Sequence, residues 1–120
     1  MKVYKFGGAS VKDASGIRNL AKIVTEESDN LVIVVSAFGK TTNALEKVLK
    51  ARLTGEAGYA DLLDEVYIGH LSVIMDLFGQ GSEVKGKIDF SFALLHDYLL
   101  TSLKGKYDFE YDQVVSYGEI

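Results

Sequence analysis

The sequence contains no cysteine and no proline. Without cysteine there are no disulfides, no thiolate metal ligands and no cysteine nucleophile, a usage compatible with a cytoplasmic protein. Without proline, the punctuation of the chain falls to its twelve glycines, which cluster between periodic segments as loop signals should. Long apolar runs are missing as well. None approaches the ~20 residues needed to span a bilayer, and the N-terminus lacks the apolar core of a signal peptide, so the sequence reads as soluble, intracellular and without a membrane partner. Positive charge is scarce: 13 Lys and Arg stand against 17 Asp and Glu, for a net charge of −4 and a pI near 5.1. General nucleic-acid binding, which rests on clustered Lys and Arg, is excluded, and only a local basic site remains plausible. No internal repeat or low-complexity tract is present.

What is there is the material of one globular domain: 120 residues, 48% hydrophobic and 25% charged. Val3, Tyr4 and Phe6 suit a pleated strand that runs into Gly7 and Gly8, where the backbone can bend sharply and approach a ligand. Asp13 or Ser15 can cap a helix to about Glu27, with Ile17, Leu20, Ala21 and Val24 at helical spacing. Leu31–Val35 is a continuous β-branched run, expected to be a strand buried on both faces as in parallel sheets. Strand, helix and strand form a βαβ unit that aligns both strand ends on one edge, so the Lys5 turn and the Ser36 turn become neighbours. Ligands of open α/β sheets bind outside the carboxyl ends of the strands, which is where these turns lie.

Asn43 and Glu46 have capping-box spacing and open a helix through Leu45, Val48 and Leu49 toward Leu53. A long amphipathic pattern from Ala57 to about Phe78 ends at Gly79. A second runs from about Ser82 or Ile88 to Leu103, and together they predict a helical hairpin. The segment Lys106–Asp112 reads as an irregular or extended connector, with Asp112 capping a helix that contains Val114, Val115 and Tyr117. The chain then stops with its last turn still apolar, which reads as a cut, and two strands make a small sheet for a complete α/β domain.

Lys5 places a positive charge beside the N–H groups of the Gly7–Gly8 turn, a chemistry suited to phosphate. Ser36-Ala-Phe-Gly-Lys-Thr-Thr-Asn43 adds hydroxyls and a lysine ahead of a helix N-terminus, which attracts anions. Gly39-Lys40-Thr41 is not the end of a P-loop, because position 34 is Val within the strand rather than the required glycine. Gly79-Gln-Gly81 follows a helix and lacks the third glycine of a dinucleotide fingerprint. His70 and His96 each stand without a partner at metal-ligand spacing, and packing or surface roles suit them better than ligation.

Three ordered stretches resemble aspartokinases of the amino acid kinase superfamily: Lys5-Phe-Gly-Gly-Ala-Ser-Val11, Val34-Val-Ser-Ala37 followed by Thr42-Asn43, and Ser116-Tyr-Gly-Glu119. They reach from the first strand to the end of the chain. Sister kinases of glutamate, acetylglutamate, carbamate and UMP share versions of the first motif; the Phe after Lys5, the trailing Ser-Val and the terminal Gly-Glu favour aspartokinase. Position 9 departs from the family, carrying Ala where Thr is usual. The resemblance implies a partial amino acid kinase (carbamate kinase-like) α/β fold with a parallel βαβ core and a long helical hairpin. It also implies transfer of the γ-phosphoryl group of ATP, with Mg2+, to the β-carboxylate of L-aspartate, the first step toward lysine, threonine and methionine. On that resemblance Lys5 is catalytic and, with Gly7, Gly8 and Ser10, binds phosphate, while Ser36, Thr42 and Glu119 bind aspartate. No protein ligand for a metal is identified. The chain would be the N-terminal, amino-acid-binding part of the catalytic domain. The nucleotide-binding half and ACT domains lie outside it, the isolated piece is expected to be inactive, and the parent is expected to be a homo-oligomer. The alternative from another class is a non-catalytic amino-acid-binding module.

Overall fold

A computed structural model describes residues 1–55, 58–101 and 106–119, the last through its backbone. In chain order it contains β1 (Lys2–Phe6), a 3-10 turn (Gly8–Val11), α1 (Ala14–Glu26), β2 (Leu31–Val35), α2 (Thr41–Leu53), α3 (Tyr59–Phe78), α4 (Glu83–Thr101), α5 (Tyr107–Ser116) and a second 3-10 turn (Tyr117–Glu119). The chain divides into two compact units, Met1–Lys40 and Thr41–Ile120.

In the first unit β1 and β2 pair in parallel, in a register running from Lys2 opposite Leu31 to Phe6 opposite Val35. The ladder is prolonged at both ends, by the Lys2 N–H on the Asn30 carbonyl (2.9 Å) and the Ser36 N–H on the Phe6 carbonyl (3.0 Å). Asp13 caps α1 as its spacing predicts, its carboxylate accepting from the Gly16 N–H at 2.8 Å. One expectation needs correction. β2 is not buried on both faces, for Val32, Ile33, Val34 and Val35 are 40–49% exposed. A sheet of two strands gives β2 only one neighbour among the described residues, so an apolar run suited to a sheet interior here keeps an open flank.

The second unit is helical, and its core joins Leu45, Val48 and Leu49 of α2 to Leu63 of α3, Leu95 and Leu99 of α4, and Val114 of α5. These side chains are at most 4% exposed, and Leu45, Val48 and Leu49 recur at the i, i+3, i+4 spacing of a single helix face. The α2 boundary differs from the sequence reading. The helix opens at Thr41, so Asn43 lies inside the first turn and its pair with Glu46 is not a capping box. α3 ends at Gly79, whose N–H donates to the Met75 carbonyl at 2.9 Å in a left-handed conformation (φ 71°). Ser82 precedes α4, its hydroxyl accepting from the Lys85 N–H at 3.2 Å. The two helices meet through Tyr67 against Phe92, ring centroids 5.3 Å apart, and through the Tyr67 hydroxyl on Asp89. Ala57 and Leu103, the outer limits expected for these helices, lie outside the described residues.

A second correction concerns residues 107–112, which belong to α5 and not to a connector. Their alternation of aromatic and acidic residues imitates a strand, but Glu110, Val114 and Tyr117 fall on one helical face at i, i+4 and i+7. Glu110 is fully buried there and accepts from the Tyr98 hydroxyl at 2.7 Å. Asp112 sits mid-helix and caps nothing.

Candidate functional site

The first unit gathers most of the predicted groups at the carboxyl ends of its strands. Lys5 lies on β1 opposite Val34, is exposed, and is one residue from the strand's end. Gly7 is extended (φ −80°, ψ 179°) and leads into the 3-10 turn that begins at Gly8, closed by the Ser10 N–H on the Gly7 carbonyl at 2.9 Å. The first N–H groups of such a turn have no partner within it, the arrangement expected of an anion-binding turn. Gly7, Gly8 and Ser10 are all exposed, and so is Ser36 just beyond β2.

The turn after β1 and the loop after β2 are joined, as the parallel pairing requires. Besides the Ser36–Phe6 bond, the Gly39 N–H donates to the Val11 carbonyl at 3.1 Å. A Cβ at Gly8 would stand 3.8 Å from the Gly39 carbonyl oxygen. The structure therefore brings Lys5, Gly7, Gly8, Ser10 and Ser36 to one edge of the same small sheet. Ala9 lies in the turn with no hydroxyl to offer.

Two local devices hold this edge, and neither was singled out from sequence. Gly16, in the first turn of α1, lets the helix press on the 3-10 turn: a Cβ there would fall 2.5 Å from the Ser10 carbonyl oxygen and 3.1 Å from its carbon. A clamp holds the start of β1. The Glu27 carboxylate accepts from the Tyr4 hydroxyl at 2.6 Å, from the Lys2 ammonium at 3.2 Å, and from the backbone N–H groups of Ser28 and Asp29 at 3.1 and 3.2 Å. The Tyr4 bond first, then the backbone and Lys2 bonds, hold Glu27 down to about 2, against an ordinary 4.5. The same contacts raise both Tyr4 and Lys2. The sequence signal for the clamp was available in the period-two alternation of Lys2, Tyr4 and Phe6, which puts them on the face opposite Lys5.

The second unit carries the other two predicted residues. Thr42 is half-buried in the first turn of α2, and Glu119 closes the second 3-10 turn. Those two segments are in contact. A Cβ at Gly118 would lie 3.2 Å from the Thr41 methyl and 3.4 Å from Leu45 Cδ1, so the residue before Glu119 packs directly on the start of α2. Thr41 is itself buried and 3.5 Å from His70 Nε2. His96 is exposed. Among the described residues no group of three or more His, Asp or Glu side chains could hold a metal ion, and no helix is long and apolar enough to cross a membrane.

Residues 1–118 match the amino acid kinase family, to which this chain belongs. Within that family it is similar to aspartokinases. It is 33% identical over 76 residues to the bifunctional aspartokinase/homoserine dehydrogenase 1, chloroplastic, of Zea mays, a match that takes in 62% of this chain and 8% of that protein. It is 49% identical over 51 residues to the aspartokinase of Bacillus sp. (strain MGA3), covering 40% of this chain and 12% of that one. Against aspartokinase 2, chloroplastic, of Arabidopsis thaliana it is 37% identical over 65 residues, 53% of this chain and 12% of the relative. The matched segments thus span only about a tenth of the length of these relatives.

Proposed function

We propose that the chain is the N-terminal, amino-acid-binding part of an aspartokinase catalytic domain of the carbamate kinase-like fold. In this reading β1, α1 and β2 form its parallel βαβ core, and α3 with α4 its helical hairpin. The parent transfers the γ-phosphoryl group of ATP to the β-carboxylate of L-aspartate, giving 4-phospho-L-aspartate. The observation that carries this reading is the shared edge of the first unit, where Lys5, the Gly7–Gly8 turn, Ser10 and Ser36 stand together at the strand ends.

The chemistry asks little covalent help of the protein. An attacking β-carboxylate is already ionised at neutral pH, so no general base is needed to prepare it, and the absence of a catalytic histidine is consistent with the reaction. The demand is for positive charge and N–H donors where charge collects on the transferring oxygens. Lys5 supplies the charge, and the N–H groups of Gly7 and Gly8 the donors. Ser36 stands between phosphate and acceptor, Thr42 binds the aspartate, and Glu119 pairs with its α-ammonium group, as the aspartokinase resemblance implies. Mg2+ enters with the nucleotide. The described residues contain no carboxylate cluster for it, and none of the roles given to this chain depends on a metal. The nucleotide itself is held mostly outside these residues, so this chain alone is expected to turn over no aspartate.

The test is Lys5→Ala in the full-length parent. Because Lys5 is exposed, the thermal midpoint should hold while the turnover number falls by about 10²-fold or more, the size expected on loss of one charge-stabilising group. Unchanged turnover would remove Lys5 from the phosphate site.

A further inference from the structure

His70 lies on α3 and is not among the residues that the aspartokinase resemblance marks, yet its two ring nitrogens are placed in a way that fixes their roles. Nδ1 is 2.8 Å from the Val66 carbonyl oxygen one helical turn earlier. A carbonyl only accepts, so Nδ1 carries the hydrogen. In the neutral ring Nε2 is then an acceptor, and it faces the Thr41 hydroxyl at 3.5 Å, which donates to it across a long hydrogen bond. Phe92 fixes the ring plane from α4, edge to face with centroids 5.6 Å apart.

Thr41 therefore has its two Cβ substituents committed to different neighbours. Its hydroxyl is turned to His70 on α3. Its methyl is turned to Gly118, where a Cβ would come within 3.2 Å. At 6% exposure the side chain has little space in which to rotate. The next residue along α2 is Thr42, and the next after Gly118 is Glu119. The orientation of Thr41 thus sets how closely the segment bearing Glu119 approaches the helix start bearing Thr42.

We infer that His70 is a positioning residue for amino-acid binding: through the Thr41 hydroxyl it holds the start of α2 and the Tyr117–Glu119 turn at a fixed separation. This rests on the assignment of Thr42 and Glu119 to the aspartate site. His70 touches no substrate in this account and acts only through Thr41.

The experiment uses the full-length parent and three variants. His70→Leu keeps apolar bulk against Phe92 and removes the acceptor. His70→Gln returns a carbonyl oxygen near the Nε2 position. Thr41→Val preserves the shape of residue 41 without its hydroxyl. The expected result is a KM for aspartate raised about fivefold in His70→Leu and in Thr41→Val, the scale of one lost hydrogen bond, with kcat and the KM for ATP little changed. His70→Gln should recover most of the loss, and the double variant His70→Leu/Thr41→Val should be no worse than either single one. A purely structural role would instead lower the thermal midpoint of the variants and leave the aspartate KM where it was; that result overturns the inference. Should His70→Leu fail to fold, Thr41→Val reads the same contact from its other side, and an unaltered aspartate KM there overturns it equally. A wild-type parent that phosphorylates no aspartate defeats the functional reading itself and the inference with it, and is distinguished by needing no variant at all.

Discussion

Glu27 illustrates how single side chains hold the proposed phosphate edge in place. It ties Lys2 and Tyr4 of β1 to the turn leaving α1, and the strand so held presents Lys5 on its other face. Because its folded pKa is about 2, below the ordinary 4.5, its contribution to stability is fully present above about pH 4.5 and is lost as pH falls toward about 2. The thermal midpoint of Glu27→Gln should therefore lie below wild type at neutral pH, and the gap should close as the solution is acidified through that window. A gap independent of pH would mean that the carboxylate charge is not what the clamp uses. At Gly16 two effects compete. Alanine is the better helix former by about 1 kcal/mol, but a Cβ 2.5 Å from the Ser10 carbonyl oxygen meets backbone that has to move. Overpacking of this kind costs about 1–3 kcal/mol, so Gly16→Ala should destabilise the chain in a urea titration; a gain in stability would show that the turn yields freely.

At the scale of elements, α5 docks with a buried polar contact at its centre. Glu110 is fully buried and accepts from the Tyr98 hydroxyl of α4, and burial together with this bond pushes Tyr98 up to about 12. Tyr98→Phe removes the donor while keeping the ring, and should cost about 1–3 kcal/mol because a buried acceptor loses a partner. A change below a few tenths of a kcal/mol in denaturant unfolding would mean that this bond is not what holds α5. The same element marks where the sequence was least legible. The run Tyr107-Asp-Phe-Glu-Tyr-Asp112 alternates like a strand, and its helical face is visible only once Glu110 is known to be inside, which no hydrophobicity pattern would suggest. The opposite holds for α1 and β2, whose extent the Asp13 cap and the β-branched run Leu31–Val35 predict to within a residue. The exposure of β2 was not legible, because a β-branched run signals a sheet interior whether or not covering strands are present. For the site, the motif residues at the strand ends could be read directly. Gly16 and His70 could not, since each matters through a contact outside its own helix, with Ser10 and with Thr41.

For the molecule as a whole, residues 1–40 carry the groups assigned to phosphate and residues 41–120 those assigned to the amino acid, Ser36 excepted. Both belong to a chain whose relatives are far longer. What defines the enzyme is then the acceptor. The Gly7–Gly8 turn and Lys5 would serve any carboxylate or phosphate acceptor of the family, whereas Thr42 and Glu119 are assigned to one that carries an α-ammonium group. The most direct measurement offers ATP and Mg2+ to the full-length parent with L-aspartate, glutamate, acetylglutamate, carbamate or UMP in turn, and follows ADP release together with the phosphorylated product. Turnover with L-aspartate far above the others, yielding an acyl phosphate on the β-carboxylate, is the predicted result. Phosphorylation of any other acceptor in preference to aspartate, or of none, would contradict it.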